Sequence, residues 1–257
     1  MEKFNSNVTK WVRLEWMALA LGLTFFIQAS PAVSKPLMEK VGGFEINWSA
    51  QKIRFDGVGD EGAFNESNRM AWKQGMSFLL RELGEVRERY SDLSESSAKE
   101  AAHKVAASTY RVKTSFHANG SVRVTMESQL GMALSAPHLD FLSTEEELAD
   151  SNHTSLVLEL DQSRMPSPVF RVFAGGQLVY DPSRVHQVSY DRRLMGKWVI
   201  NSIAGHGRIV GDNPLIIKAK VVGDRIETSA DSWAVVSQSA KKLLAEAKVV
   251  VVMPEPR

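Results

Sequence analysis

Cysteine is missing from this sequence. The chain therefore forms no disulfide bond, and its fold must depend on its own hydrophobic core. It also lacks the residue to which bacterial lipoproteins attach their lipid, so we expect no acyl anchor. Basic and acidic side chains are nearly equal in number, 31 against 30, and basic residues are not clustered. This balance gives no reason to expect nucleic acid or an anionic membrane as a partner.

Sequence signatures of catalytic and metal sites are missing too. The six histidines form neither H-x-x-x-H nor H-E-x-x-H, and no G-x-S-x-G elbow is present. Three consecutive glutamates at 145–147 are interpreted as a solvated face rather than a cation site. We therefore predict a protein that is not an enzyme and that has no catalytic residue, no metal ion and no cofactor.

One glycine-rich segment resembles a dinucleotide-binding loop. Residues 57–62, Gly-Val-Gly-Asp-Glu-Gly, match G-x-G-x-x-G between a predicted strand and a predicted helix. Asp60 and Glu61, however, would place carboxylates beside a pyrophosphate. A second helix also follows where a nucleotide-binding unit needs another strand. We therefore predict a turn here, without a nucleotide.

Apolar residues are concentrated in one short run near the N-terminus. Residues 17–27 follow three basic side chains and precede the small residues of 29–32. A bilayer-spanning helix needs about 20 apolar residues, so this run is short for a span. The order basic, apolar, small predicts a secretory signal peptide over 1–32 and a periplasmic protein. Retention of the segment as a signal anchor is the alternative.

The first half of the chain predicts a β-α-α-β-β domain over 44–136. Apolar and polar residues alternate in 44–48 and 53–55, as in half-buried strands. Apolar residues spaced by three and four predict a helix over about 65–90, with Asn65 or Ser67 as its N-cap. An alanine-rich helix over about 94–109 follows. Asn119-Gly120 then predicts a tight turn between two hairpin strands.

The second half predicts a strand-rich α+β domain over 153–257, after an acidic linker at 137–152. Predicted strands lie at 155–160, 169–173, 178–180, 214–222 and 225–228. One helix is expected over about 232–247. The final run Val249–Val252 must form either a buried strand or an interface strand. The fold class of the whole chain is therefore α+β.

Several short strings recur in a known pattern: Ile46-x-Trp48, Ile53-Arg54-Phe55, LLRELGEVR at 79–87, Leu130-Gly131-Met132 and 210–219. Together they resemble a superfamily of bacterial envelope proteins over about residues 44–253. This superfamily includes small outer-membrane lipoproteins and the N-terminal part of the periplasmic flagellar assembly protein T. The resemblance implies β-α-α-β-β packing, docking or self-assembly in the envelope, and no enzymatic activity. It supplies no site residues, and this chain departs from the lipoproteins in having no lipid-attachment cysteine.

These observations favour a non-enzymatic periplasmic structural or assembly protein, such as a flagellar motor accessory or a ring or scaffold subunit. Its expected partners are envelope or flagellar motor proteins and further copies of itself, with no membrane span after cleavage. We take Trp48, Ile53, Phe55 and Val250 as the candidate partner surface, because exposed strand edges pair readily with other chains. A periplasmic module that binds a small ligand or glycan through the glycine-rich turns of Gly205–Asn213 is the alternative. An enzyme with dispersed catalytic residues ranks last.

We predict that the exported protein begins near Val33, because the small residues Ser30 and Ala32 suit positions −3 and −1 of a cleavage site. N-terminal sequencing of the protein recovered from the periplasm measures this directly. A chain that still begins with Met1 in the membrane fraction would instead identify the segment as an anchor.

Overall fold

The computed structural model describes residues 36–60, 63–90, 98–135, 139–143, 148–204 and 206–256, which form two β-sheets and several helices. Helices and strands occur in both halves, which confirms the predicted α+β class. The predicted signal peptide lies outside the described residues. Within the described part of the chain, no helix is both long enough and apolar enough to cross a membrane.

The first sheet has five antiparallel strands in the order β1-β2-β3-β5-β4. The strands are β1 Met38–Val41, β2 Phe44–Asn47, β3 Lys52–Gly59, β4 Tyr110–Phe116 and β5 Val122–Gln129. β1 was not predicted. The alternation in β3 and β5 puts apolar side chains on one face of the sheet, where the helices cover them, and charged side chains on the other.

Within the described ranges, three helices belong to this half: α1 Phe64–Glu88, α2 Ala98–Ser108 and α3 Leu130–Ala133. The helical spacing predicted for α1 is confirmed, because Ala71, Leu79 and Leu83 are all buried on one side. Neither predicted N-cap is correct. The helix begins at Phe64, which puts Ser67 inside it, where the Ser67 hydroxyl donates to the carbonyl of Asp60 at 2.7 Å.

The predicted turn at Gly57 and Gly59 is wrong, since both residues lie inside β3. A Cβ on Gly57 would stand 1.9 Å from the backbone oxygen of Ala71, and one on Gly59 would stand 1.8 Å from that of Ser67. These glycines therefore allow α1 to lie directly on the sheet, and helix packing accounts for them. Glu61 and Gly62 lie outside the described residues.

The second sheet has seven strands in the order β8-β7-β11-β10-β6-β12-β9. They are β6 Leu156–Leu160, β7 Val172–Ala174, β8 Gln177–Tyr180, β9 Lys197–Ile200, β10 Leu215–Val222, β11 Arg225–Thr228 and β12 Val249–Met253. The block β10-β6-β12-β9 is parallel throughout. The central strands β6 and β12 are buried on both faces, as is usual where both faces of a parallel sheet are covered. β10 instead alternates buried residues with exposed ones such as Lys218 and Lys220.

The helices of this half are short: α4 Gln187–Arg193, α5 Gly207–Val210, α6 Ala230–Ser239 and α7 Lys241–Ala245, with a 3₁₀ turn at Pro182–Arg184. The single helix predicted over 232–247 is therefore two helices. They meet at Ala240, whose φ of −135° is not helical. Neither β9 nor α4 was predicted.

The terminal valine run forms a buried strand, one of the two alternatives that the sequence left open. Val249, Val251 and Met253 of β12 join the large core that both sheets share. Val250 and Val252 face the opposite side, where they form a small second core with Val157, Val199 and Val210. β12 therefore carries apolar side chains into both layers.

The two sheets are joined where the β2–β3 turn reaches the edge of β9. The Ser49 hydroxyl donates to the carbonyl of Trp198 at 2.8 Å, and the Gln51 amide donates to that of Gly196 at 3.0 Å. The described residues belong to one unit of contacts. The predicted boundary at 137–152 lies between α3 and β6 in the chain, and the independence of the two halves stays a prediction.

We expect Gly57→Ala to destabilise the protein by about 1–3 kcal/mol, because the added methyl group overlaps the backbone of α1. Gly84→Ala is the matched control. Gly84 lies in the same helix with no atom within 4 Å of its added Cβ, so this substitution should stabilise by about 1 kcal/mol. Urea denaturation measures both changes, and equal effects of the two substitutions would contradict the packing explanation.

Ser49→Ala should lower the free energy of unfolding by about 1–3 kcal/mol, because the substitution leaves buried polar groups without their partner. The hydroxyl accepts from the amide of Leu37 at 2.9 Å and donates to Trp198 in the other sheet. We expect one cooperative transition in both proteins, measured by circular dichroism and tryptophan fluorescence. Two separate transitions in the unsubstituted protein would support two independent domains instead.

Candidate interaction surface

The β4–β5 hairpin presents the longest strand at the edge of the first sheet. Its turn is the one that Asn119-Gly120 predicted: Gly120 has a φ of +85°, and the amide of His117 donates to the carbonyl of Ser121 at 3.0 Å. Glycine has no Cβ and adopts this left-handed conformation without steric cost. The hairpin therefore holds β4 against β5 in a defined register.

The outer side of β4 has no strand partner among the described residues, since β4 ends the strand order of its sheet. Its register against β5 shifts between Arg111 and Lys113, which makes Val112 the extra residue of a bulge. The backbone N–H and C=O groups of β4 that do not bond to β5 point away from the sheet. Such an edge is a template on which another chain can add a strand.

Apolar side chains are exposed to solvent along this edge. Val112 is 46% exposed, and Phe116 is 59% exposed. The ring of Phe116 lies 4.8 Å from the ring of Phe64, the first residue of α1, which is itself 52% exposed. We call Phe64, Val112, Phe116 and the β4 backbone the β4 surface. Exposed aromatic groups that contact one another are typical of contact sites.

Basic side chains on β4 give this surface a charge. Arg111 and Lys113 are exposed, and the guanidinium of Arg111 lies 5.9 Å from the ring centre of Trp72. Among the described residues, neither forms an ion pair with a carboxylate. Cations on an edge strand oppose unselective pairing between copies. They favour a partner strand that carries acidic side chains.

The open face of the sheet beside this edge is neutralised internally. Arg54 lies between Glu45 and Glu127, at 3.1 and 2.6 Å. The hydrogen bond to Glu127 is the main reason why the pKa of Arg54 is raised. Tyr110 of β4 donates its hydroxyl to Glu127 at 2.9 Å, and burial together with this bond raises the pKa of the phenol. These pairs leave few charges on the open face for a partner.

The three candidate partner residues of the first sheet are buried. Trp48 is fully covered: its ring packs edge-on against Tyr90 at 5.4 Å, and its indole nitrogen donates to Glu39 at 2.9 Å. Ile53 and Phe55 lie on the side of β3 that the helices cover. The prediction that these side chains present a partner surface is therefore wrong. Alternation identified the apolar face correctly, but that face packs against α1.

Val250 is buried as well, and the interpretation of its strand as an edge is wrong. β12 lies between β6 and β9, and Val250 pairs in register with Val157 on one side and Lys197 on the other. A substitution there acts on the core of the second sheet. The residues of the β4 surface were missed, although Asn119-Gly120 had placed β4 in a hairpin, because a hairpin does not reveal which of its strands ends the sheet.

The glycine-rich segment that suggested a ligand site lies in the second sheet's half of the chain. Gly205 is outside the described residues, Gly207 begins α5, and Gly211 follows it with a φ of +77°. A Cβ on Gly211 would also stand 2.5 Å from the side chain of Thr154. Residues 208–211 form one wall of a pocket that basic side chains line.

No group of three or more His, Cys, Asp or Glu side chains suitable for a metal ion occurs within the described ranges. In comparisons with known proteins, neither a family model nor a curated protein matches this chain. The resemblance to the envelope superfamily therefore stays a prediction.

Proposed function

We propose that this chain is a non-catalytic assembly protein of the bacterial periplasm that adds to larger structures through the β4 surface. The observation that carries the proposal is the unpaired outer edge of β4, flanked by the exposed side chains of Val112 and Phe116. The resemblance to envelope proteins supports the location. It also suggests the flagellar motor as the structure to which the protein belongs.

Charge decides how copies of this chain would pair. Two β4 strands from two copies would bring Arg111 and Lys113 of one copy close to those of the other, and like charges across a sheet are destabilising. The opposite edge of the same sheet is β1, which also lacks an outer partner among the described residues. β1 carries Lys40 and also Glu39, whose carboxylate pairs with Arg89 at 2.8 Å, so β1 has fewer unpaired cations than β4 and would repel it less than a second β4 would.

Head-to-tail addition of β4 to β1 of a second copy would therefore continue the first sheet from one copy to the next. A contact between two different surfaces is heterologous, and it produces a ring if the rotation closes and a filament if it does not. This geometry suits a ring or scaffold subunit. It needs no catalytic group, and the protein then works through the surfaces that it presents.

Val112→Lys should weaken this assembly, because it adds a third cation beside Arg111 and Lys113 at the pairing edge. We expect the dissociation constant of the oligomer to rise at least about tenfold, since placing like charges together at an interface costs several kcal/mol. Sedimentation velocity of the exported protein over a range of concentrations measures the change.

Ile216→Lys is the matched control, since Ile216 is also 46% exposed but lies on β10, inside the second sheet. It should leave the oligomer unchanged. A protein that is monomeric at all concentrations and forms no cross-link to an envelope component would refute the proposal. Equal loss of assembly in the control would place the contact away from β4.

A further inference from the structure

A second feature of the molecule is a basic pocket at the amino ends of the parallel strands β9 and β12. Its volume is about 230 Å³, and Arg193, Lys197, Arg208 and Lys248 line it. Adjacent parallel strands begin at the same edge of a sheet, which brings Lys197 at the start of β9 close to Lys248 just before β12. Residues from α4 and α5 complete the walls.

The cations of this pocket are poorly neutralised by the protein. Lys248 pairs with Glu246 at 2.6 Å, whereas no carboxylate among the described residues forms an ion pair with Lys197, Arg193 or Arg208. Arg193 instead donates to the main-chain carbonyl of Glu246 at 3.3 Å. Three positive side chains therefore converge on one cavity without a matching negative charge.

This convergence opposes folding in the absence of a ligand. Burial lowers the pKa of Lys197, and the neighbouring cations Arg193 and Lys52 lower it further. Burial and Lys197 together lower the pKa of His206, which precedes α5. Half-buried like charges repel one another through a medium that screens them less than water does. A bound anion would convert the repulsion into attraction.

Apolar side chains also line the pocket. Ile209 and Val250 lie among its lining residues, and both belong to or pack against the small valine core of the second sheet. A cavity lined by cations and by some apolar groups suits a ligand that has an anionic group attached to a small organic body. Guanidinium and ammonium groups together recognise phosphate oxygens well, because arginine donates two parallel hydrogen bonds and lysine adds a point charge.

We propose that this pocket binds the phosphate group of a small molecule, with Lys197 and Arg208 as its principal ligands. The site is separate from the β4 surface, because it belongs to the second sheet, and the proposal does not depend on the proposed function. Residues 208–211 of the glycine-rich segment then form part of the wall of the binding site. Gly211 continues the chain from this wall in a conformation that other residues rarely adopt.

Isothermal titration calorimetry of the full chain at low ionic strength tests the proposal with two probes, inorganic phosphate and glycerol 3-phosphate. Both should bind saturably. Lys197→Met and Arg208→Gln should each weaken binding roughly 10- to 100-fold, because each removes one charge-assisted hydrogen bond. Lys73→Met removes an exposed cation from α1 and should leave binding unchanged. Tighter binding of glycerol 3-phosphate than of phosphate would identify a phosphomonoester as the ligand, and equal binding would identify free phosphate.

Thermal unfolding without phosphate provides a second measurement. Lys197→Met should raise the melting temperature, because it removes a half-buried cation from a repulsive cluster. Phosphate should then stabilise the unsubstituted protein more than it stabilises this variant. Absence of saturable heat with either probe would overturn the proposal. The proposal would also be overturned if Lys73→Met weakened binding as much as Arg208→Gln does. Arg208 is exposed, so its substitution leaves the core intact.

Discussion

The attachment of the β2–β3 turn to the edge of β9 determines how the two sheets combine. Without it, β9 would leave a row of unpaired backbone groups at the end of a parallel sheet, which is a liability for any protein. Ser49 and Gln51 supply side-chain donors to the carbonyls of Trp198 and Gly196. Gln51 itself has a φ of +56°, so its backbone adopts the left-handed conformation within this turn. One sheet thereby covers an edge of the other, whereas the outer edge of β4 in the first sheet has no strand partner among the described residues.

Local patterns predicted the elements that local forces form. The spacing of apolar residues identified α1, and Asn119-Gly120 identified the hairpin, since both depend on residues close together in the chain. β9 was missed because its four residues carry no pattern of their own. Its strand conformation depends on pairing with β12, some fifty residues later in the chain. The glycines at 57 and 59 were misjudged for a similar reason, because only the approach of α1 explains them.

The candidate surface was harder to predict than the fold, because exposure depends on strand order. Alternation showed which side chains of β3 lie together but not whether a helix covers them, so Ile53 and Phe55 were assigned to a surface when they belong to the core. The valine run of β12 is compatible with an edge strand or with a central strand, and only the identity of its neighbouring strands decides between them. The glycine-rich segment near α5 was recognised as a candidate ligand site, yet Lys197 and Arg193, which face it, lie earlier in the sequence and have no motif in common.

The distribution of charge separates structural from functional positions in this protein. On the open face of the first sheet, Arg54 has a carboxylate on either side, and such an arrangement needs no ligand to be stable. In the basic pocket, Lys197 forms no ion pair with a carboxylate of the described residues and is repelled by Arg193 and Lys52, although acidic residues are nearly as numerous as basic ones in the chain. The chain has enough carboxylates to neutralise its cations, yet Lys197, Arg193 and Arg208 form no ion pair with a carboxylate among the described residues. Local rules of stability are broken most often at functional sites, so the unmatched cluster marks the position where an external anion completes the structure.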